Sequence, residues 1–232
     1  MNDSRATPMH PGSIIDLQAS DTGYPSALRH YLGGAAPHQV SALGNLDVLR
    51  CKLLALFCSA RCPGNLILQT YDLMQTLRQE GVTVISGFHA PMERECLTVL
   101  LRGTQPIVVC PARNIAGMQI RSEYKAPLAA GRLLFLSPCT EAQRRVTAAT
   151  AVARNRFVAA LADAIFVPHA APHSKTEQFC HDVLTWGKPL YTLEADVNTG
   201  LITLGAQEVG PNTARAWIQR HADYGLASPN SV

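Results

Sequence analysis

Several common signatures are missing from this chain, and each absence removes a class of function. No Gly-x-Gly-x-x-Gly follows an apolar run and no Gly-x-x-x-x-Gly-Lys-Ser/Thr occurs, which argues against a dinucleotide dehydrogenase or a P-loop NTPase. Gly-x-Ser-x-Gly is absent too, and with it the usual sequence sign of an α/β hydrolase. The seven cysteines never form a Cys-x-x-Cys pair, and most lie in or beside apolar runs. They read as small buried hydrophobes, reduced, in a reducing compartment. No apolar stretch reaches membrane-spanning length. Met1 to Gln18 contains Asp3, Pro8, Pro11 and Asp16 and no apolar core, so a secretory leader is not expected and a cytoplasmic location is. Lysine is scarce, with four against sixteen arginines, and the net charge of +3 decides little about partners. Arginine suits bidentate phosphate contacts, but a GC-rich genome would also supply it.

What remains is an alternation of short apolar runs with helical segments. Leu53 to Cys58 is wholly apolar, as a strand covered on both faces should be, and comparable runs recur at Val82 to Ile85, Ile107 to Cys110, Leu133 to Leu136, Ile165 to Val167 and Leu190 to Leu193. Leu66, Leu73, Met74 and Leu77 share one helical face ending at Gly81. Met92, Cys96, Val99 and Leu100 share another, opened by Pro91 with Glu93 and Glu95 in the first turn. Thr140-x-x-Gln143 and Ser174-x-x-Glu177 read as capping boxes that start two further helices. The pattern predicts an α/β fold: a doubly wound, mostly parallel, Rossmann-like sheet with helices on both faces. The expected organisation is a loop-rich lead-in over 1–50, the main domain over 51–210, and a tail over 211–232 with one short helix. Trp217 and Ile218 on that helix either fold over their own sheet edge or meet a second copy of the chain.

In such sheets ligands bind beyond the carboxyl ends of the strands. The loops predicted there, 59–64, 86–89, 111–114, 137–140 and 168–175, are rich in Ser, Arg, His and Lys and poor in carboxylates, which suits an anion. Arg154-Asn155-Arg156 adds two guanidiniums flanking an amide, between an amphipathic run and the strand-like 164–167. His169, His173 and His181 lack a companion Cys or Asp, and solvated loop histidines with no metal are expected. Cys58 and Cys62 flank the turn after the first apolar run, with His89 as the one nameable base. A buried Cys58 and a turn Cys62 explain that spacing equally, and no catalytic residue or cofactor is assigned.

Taken in order, several short motifs resemble the DNA processing protein A (DprA, or Smf) family, a Rossmann-like group within the SLOG superfamily. They are Tyr24-Pro25-x-x-Leu28, Gly44-Asn45, Cys58-Ser59-Ala60-Arg61 in place of Gly-Ser-Arg, Ser86-Gly87, Arg154-Asn155-Arg156 with Leu161, and Leu201-Ile202-x-x-Gly205-Ala206. The resemblance runs from Tyr24 to about Ala206. It implies a non-catalytic, homodimeric protein that binds single-stranded DNA without sequence preference and passes it to RecA in natural transformation and recombination. By position it implies phosphate contacts from Ser59, Arg61, Ser86, Gly87, Arg154, Asn155, Arg156, Ser174 and Lys175, with Phe88 or Phe157 as stacking faces. The departures mark a divergent member: Pro91-Met92-Glu93 stands where Gly-Ile-Asp is expected, Ser137-Pro138 for Ser-Glu, and His173-Ser174-Lys175 for Ser-Gly-Ser. The wider superfamily also holds small-nucleotide enzymes and sensors such as phosphoribohydrolases. Their phosphate-loop glycines are lacking here, and Glu177 is already explained as a capping acid.

Overall fold

A computed structural model of the chain describes residues 13–222. The expected start of the lead-in and the polar end of the tail lie outside the described residues. The parallel part of the sheet is laid down by β3 (Leu53–Leu56), β4 (Thr83–Ser86), β5 (Ile107–Val109), β6 (Leu133–Ser137), β7 (Ala164–Phe166), β8 (Leu190–Leu193) and β9 (Gln207–Val209). From β3 the chain steps outward through β4 and β5 to β6, then returns to place β7 on the other flank of β3 and continues to β8 and β9. That reversal makes the β3/β7 boundary the topological switch point, with Leu56 opposite Phe166. The sheet is therefore doubly wound and mostly parallel, as the apolar runs indicated.

The lead-in supplies more than loops. β1 (Ile15–Gln18) and β2 (Gln39–Gly44) add antiparallel strands beside β6 and bring the sheet to nine strands among the described residues, with α1 (Ser26–Leu32) between them. Four and six residues broken by polar side chains are too short to stand out as apolar runs. Gly44 closes β2 at φ 121°, where a Cβ would sit 2.3 Å from the Leu133 carbonyl, so only glycine lets the two strands pair this closely.

Strand side chains alternate between two apolar layers. Leu54 and Leu56 face one side, together with α2 (Gly64–Gln79), α3 (Pro91–Leu101), α4 (Ser122–Ala129) and α8 (Ala214–His221). Leu53, Ala55 and Phe57 face the other, with α1, α5 (Ala148–Leu161), α6 (Lys175–Thr185) and α7 (Thr199–Leu204). Each fully buried leucine contributes about 1.5–3 kcal/mol. Trp217 is buried against Phe166 and Tyr191, ring centres 5.3 and 5.5 Å away, so the tail helix covers its own sheet edge. Trp217 therefore offers no exposed face to a second copy.

One expected helix start is not one. Thr140 and Gln143 do make the capping contact, Thr140 N–H donating to Gln143 Oε1 at 2.9 Å, but within an isolated turn. The Gln143 carbonyl accepts from Asn114 N–H instead of starting a helical ladder. α5 begins later, capped by Thr147, whose hydroxyl accepts from Thr150 N–H at 3.1 Å. The Ser174 box does start α6: Glu177 N–H donates to Ser174 Oγ, and His173 N–H to Glu177 Oε2.

Candidate nucleic-acid interface at the sheet switch point

The strands β3 and β7 end in loops that are tied to each other. Ser59 N–H donates to the His169 carbonyl at 3.0 Å, Ala171 N–H returns a bond to Ser59 Oγ at 3.0 Å, and the Ser59 and Ser174 hydroxyls lie 3.4 Å apart. Two of the predicted site residues thus meet across the switch point. Ser86 is wholly buried; its hydroxyl donates to the Leu56 carbonyl and accepts from Phe88 N–H. It fastens the end of β4 to β3.

Beneath these loops sits a buried carboxylate that the motif reading did not single out. Glu93 Oε1 accepts from Cys58 N–H at 3.1 Å, while Oε2 accepts from His89 N–H at 2.8 Å and Ala90 N–H at 3.2 Å. One side chain in the first turn of α3 therefore binds amides from two strand-end loops. Its sequence signal was its place at the third position of the family's Gly-Ile-Asp.

Arg154 and Arg156 part company because both lie inside α5. At about 100° per residue, positions i and i+2 diverge by roughly 200° around the helix. Arg154 turns inward and is 5% exposed, its Nη1 donating to the Cys110 carbonyl at 2.9 Å and its Nε to Asn155 Oδ1 at 2.8 Å. Burial lowers its pKa, opposed by the Glu93 charge nearby. Gly87 packs directly on it: a Cβ there would fall 1.1 Å from Nη1. Arg156 turns the other way and lies half-buried over the Trp186 ring, 5.4 Å from its centre. Stacking leaves the edge of a guanidinium free to donate.

Between α5 and α6, beyond the ends of β3 and β7, opens a cleft of about 340 Å³ lined by Glu93, Asn155, Arg156, Lys175 and Phe179. Lys175 is exposed at this rim, whereas Arg61, exposed in the loop after β3, is not among the residues that line the cleft. Phe157 and Phe88 are not at the surface, with 1% and 5% exposure, so neither presents a stacking face in this conformation. Phe88 adopts φ 47° and His173 φ 58°, the two non-glycine residues in the left-handed region among the described residues. Both lie in strand-end loops, where such strain concentrates around functional sites.

The histidines scatter. His169 is buried with its ring bonded to Asn198 Oδ1 at 2.9 Å, and Asn198 in turn donates to the Pro168 and Leu193 carbonyls. His173 and His181 are exposed. Among the described residues no group of three or more His, Cys, Asp or Glu side chains is placed to hold a metal. Cys58 and Cys62 hydrogen-bond through their sulfurs, which raises the Cys58 pKa and lowers that of Cys62. The seven thiols are free, and no helix among the described residues is long and apolar enough to cross a membrane.

Nine strands among the described residues, in a doubly wound sheet with a cleft at the switch point lined by Arg156 and Lys175 as well as Glu93 and Asp182, define an open α/β protein. More narrowly, residues 17–223 match the DNA recombination-mediator protein A family, and the chain belongs to it. No curated protein sequence matches the chain. Among solved structures, the chain resembles DNA processing protein A from Streptococcus pneumoniae, with 17% identity and a TM-score of 0.71 over 91% of this chain and 75% of that one. It resembles DNA processing protein A from Helicobacter pylori, a protein with a single-stranded DNA binding mode, at 19% identity and a TM-score of 0.71 over 90% and 95% of the two chains. A molybdenum cofactor binding protein from Rippkaea orientalis follows at 13% identity and a TM-score of 0.51, over 74% of this chain and 97% of that one. At these identities the likeness is one of fold.

Proposed function

We propose that the chain is a non-catalytic protein that binds single-stranded DNA along the rim of the switch-point cleft. Family membership over residues 17–223 supports the reading, and the one observation that carries it is the division of charge at the site. Arg154 and Glu93 are buried and occupied with backbone and loop partners, whereas Arg156, half-buried, and Lys175, exposed, line the cleft, and Arg61 is exposed in the loop after β3. In this reading the first pair positions the loops and the second group binds phosphates. Asn155 and the Ser174 hydroxyl add neutral groups beside them, while Ser59 is buried and ties the loops together. Backbone contacts of this kind carry no sequence information, which accords with binding any single strand. The broader role we propose, transfer of the strand to RecA by a homodimer during DNA uptake and recombination, is supported only by the family resemblance. The cleft also contains the Glu93 and Asp182 carboxylates, which repel a strand that enters too deeply and favour contact at the rim.

The test is fluorescence anisotropy of a labelled oligo-dT across a salt series. Each phosphate contact on a single strand contributes a slope of about −0.7 in log K against log salt. Arg156→Ala with Lys175→Ala is expected to weaken binding and flatten the slope by about one to two units while leaving the melting temperature unchanged. Unaltered affinity and slope would remove this rim from the interface.

A further inference from the structure

A second cavity lies two strands away from the switch point. It has a volume of about 330 Å³ and opens beyond the carboxyl end of β5, between α3 and the first turn of α4. That is the small end of the range for small-molecule sites, roughly 300–1,000 Å³, and it fits one nucleotide unit better than a dinucleotide. Its floor is apolar and aromatic: Leu97, Met118, and the edge-to-face pair of Tyr124 and Phe135, whose rings are 5.4 Å apart. Its wall carries three arginines from three different elements, Arg94 on α3, Arg113 on the loop after β5, and Arg121 at the start of α4. Glu123 is the one carboxylate in the lining and lies 3.7 Å from Arg121. Arg94 and Arg113 have no ion-pair partner among the described residues.

The arginine on the loop is not there by slack. Its own carbonyl accepts from Ser137 Oγ at 2.8 Å, the next residue, Asn114, donates from its side chain to the Cys139 carbonyl, and Ala116 N–H closes a turn onto Asn114 Oδ1. The partition between this cavity and the switch-point cleft is the β4 to α3 loop. Phe88 and His89 line the one side, and Glu93, which holds the loop, lines the other. Phe88, with its left-handed backbone, stands in that partition. An apolar, ring-lined floor under two unpaired guanidiniums is a binding surface for a flat body bearing a doubly charged anion.

We infer that this cavity binds a nucleoside monophosphate, with the base on the Met118 and Tyr124 floor and the phosphate held by Arg94 and Arg113. The same chemistry is presented by a free mononucleotide and by the 5′-phosphorylated end of a strand. The inference does not depend on the rim reading above, because the two sites share no arginine.

The experiment is calorimetric titration of the full chain with deoxyadenosine 5′-monophosphate, with deoxyadenosine, and with an oligo-dT carrying either a 5′-phosphate or a 5′-hydroxyl. The expected result is saturable binding of the monophosphate, none of the nucleoside, and a loss of about tenfold or more in Arg94→Ala/Arg113→Ala. Both side chains are exposed, so melting temperature should not move. Tighter binding of the 5′-phosphorylated oligonucleotide than of its 5′-hydroxyl twin, abolished by the same pair, assigns the cavity to strand ends. Equal binding of the two oligonucleotides, with the monophosphate still captured, assigns it to free nucleotide. No heat with the monophosphate at millimolar concentration overturns the inference. So does binding that survives Arg94→Ala/Arg113→Ala and is lost in Arg156→Ala/Lys175→Ala, since that places the nucleotide in the switch-point cleft.

Discussion

Gly87→Ala tests the packing at the heart of the site, because the only change is one methyl group. The glycine's backbone is not left-handed, so alanine is excluded by space and not by φ. An added Cβ would lie 1.1 Å from Arg154 Nη1, 1.8 Å from Cζ and 2.6 Å from Nη2, where non-bonded atoms settle at about 3.5–4.0 Å. The guanidinium must therefore retreat by about 2 Å or more. The move breaks its bonds to the Cys110 carbonyl and to Asn155 Oδ1. Hydrogen bonds of charged groups are worth about 1.5–3 kcal/mol each, and some of this is recovered if the arginine swings to water. A net loss of about 3 kcal/mol is expected, a large share of the roughly 5–15 kcal/mol that holds a domain folded.

The assay is urea unfolding followed by circular dichroism, with Gly64→Ala as the control. Nothing lies within 4 Å of a Cβ at Gly64, which opens α2, so alanine there should be neutral or stabilising by up to about 1 kcal/mol. The decisive comparison is the cycle with Arg154→Ala. Once the guanidinium is gone, Gly87→Ala should cost less than about 1 kcal/mol, so the double mutant is more stable than the two single losses imply. Additivity within about 0.5 kcal/mol would refute the reasoning, since independent sites add to that tolerance.

Other expectations follow from neighbouring contacts. Lys188 Nζ donates to the Ala160 and Ala162 carbonyls at the end of α5 and lies 4.0 Å from the Tyr31 ring centre, so Lys188→Met, which strands both acceptors, should lower stability by about 2–4 kcal/mol in the same unfolding assay. Trp217→Ala should cost about 3–5 kcal/mol, whereas Trp217→Phe should cost far less because the buried indole N–H has no acceptor among the described residues; a Trp217→Ala protein that melts normally would contradict the buried placement. Cys62 is half-buried and its thiolate accepts the Cys58 hydrogen bond, so its pKa is lowered. Iodoacetamide should modify Cys62 before the other thiols, with a rate that climbs at a pH below the ordinary thiol value of about 8.5, as read by peptide mass mapping. First labelling at Cys58, whose pKa is raised, would reverse that assignment.

Much of the fold was legible because the central strands are apolar on both faces. β3 to β8 each stood out as a run, since a strand sandwiched between helices has no polar side to interrupt it. The strands at the margins did not. β9 reads Gln207-Glu208-Val209 with two exposed residues, and β1 alternates, because an edge strand keeps one face in water. Thr140 failed as a helix signal for a different reason: a capping contact satisfies local amides in a turn as well as in a helix, and the Gln143 carbonyl was claimed by Asn114 from another loop.

The site was legible as a set of residues and not as an arrangement. Arg154-Asn155-Arg156 looks symmetrical on paper, but helical rotation sends its first arginine under the strand ends and its last to the rim. Which arginine goes inward depends on the phase of α5, and that phase is fixed by the burial of Phe157 and Val158 immediately after it. Glu93 was visible as a first-turn acid and as the last residue of Pro91-Met92-Glu93, but it carried no site role because an acid in a first turn is ordinary capping chemistry. Only the packed fold brings Cys58 N–H within its reach, 35 positions back in the chain. The two buried charges therefore have a shared role that neither motif suggested. Glu93 binds the loops after β3 and β4, Arg154 binds the end of β5, and the field between them links three strand ends into one platform. Glu93→Gln keeps the shape and removes the charge; its amide can accept at one oxygen only, so the loop after β3 or the loop after β4 must lose its anchor. Hydrogen exchange at Cys58, His89 and Ala90 is expected to speed up in that variant while the helix amides of α2 keep their protection. Unchanged exchange at all three amides would show that the platform is held by its backbone bonds and not by the carboxylate.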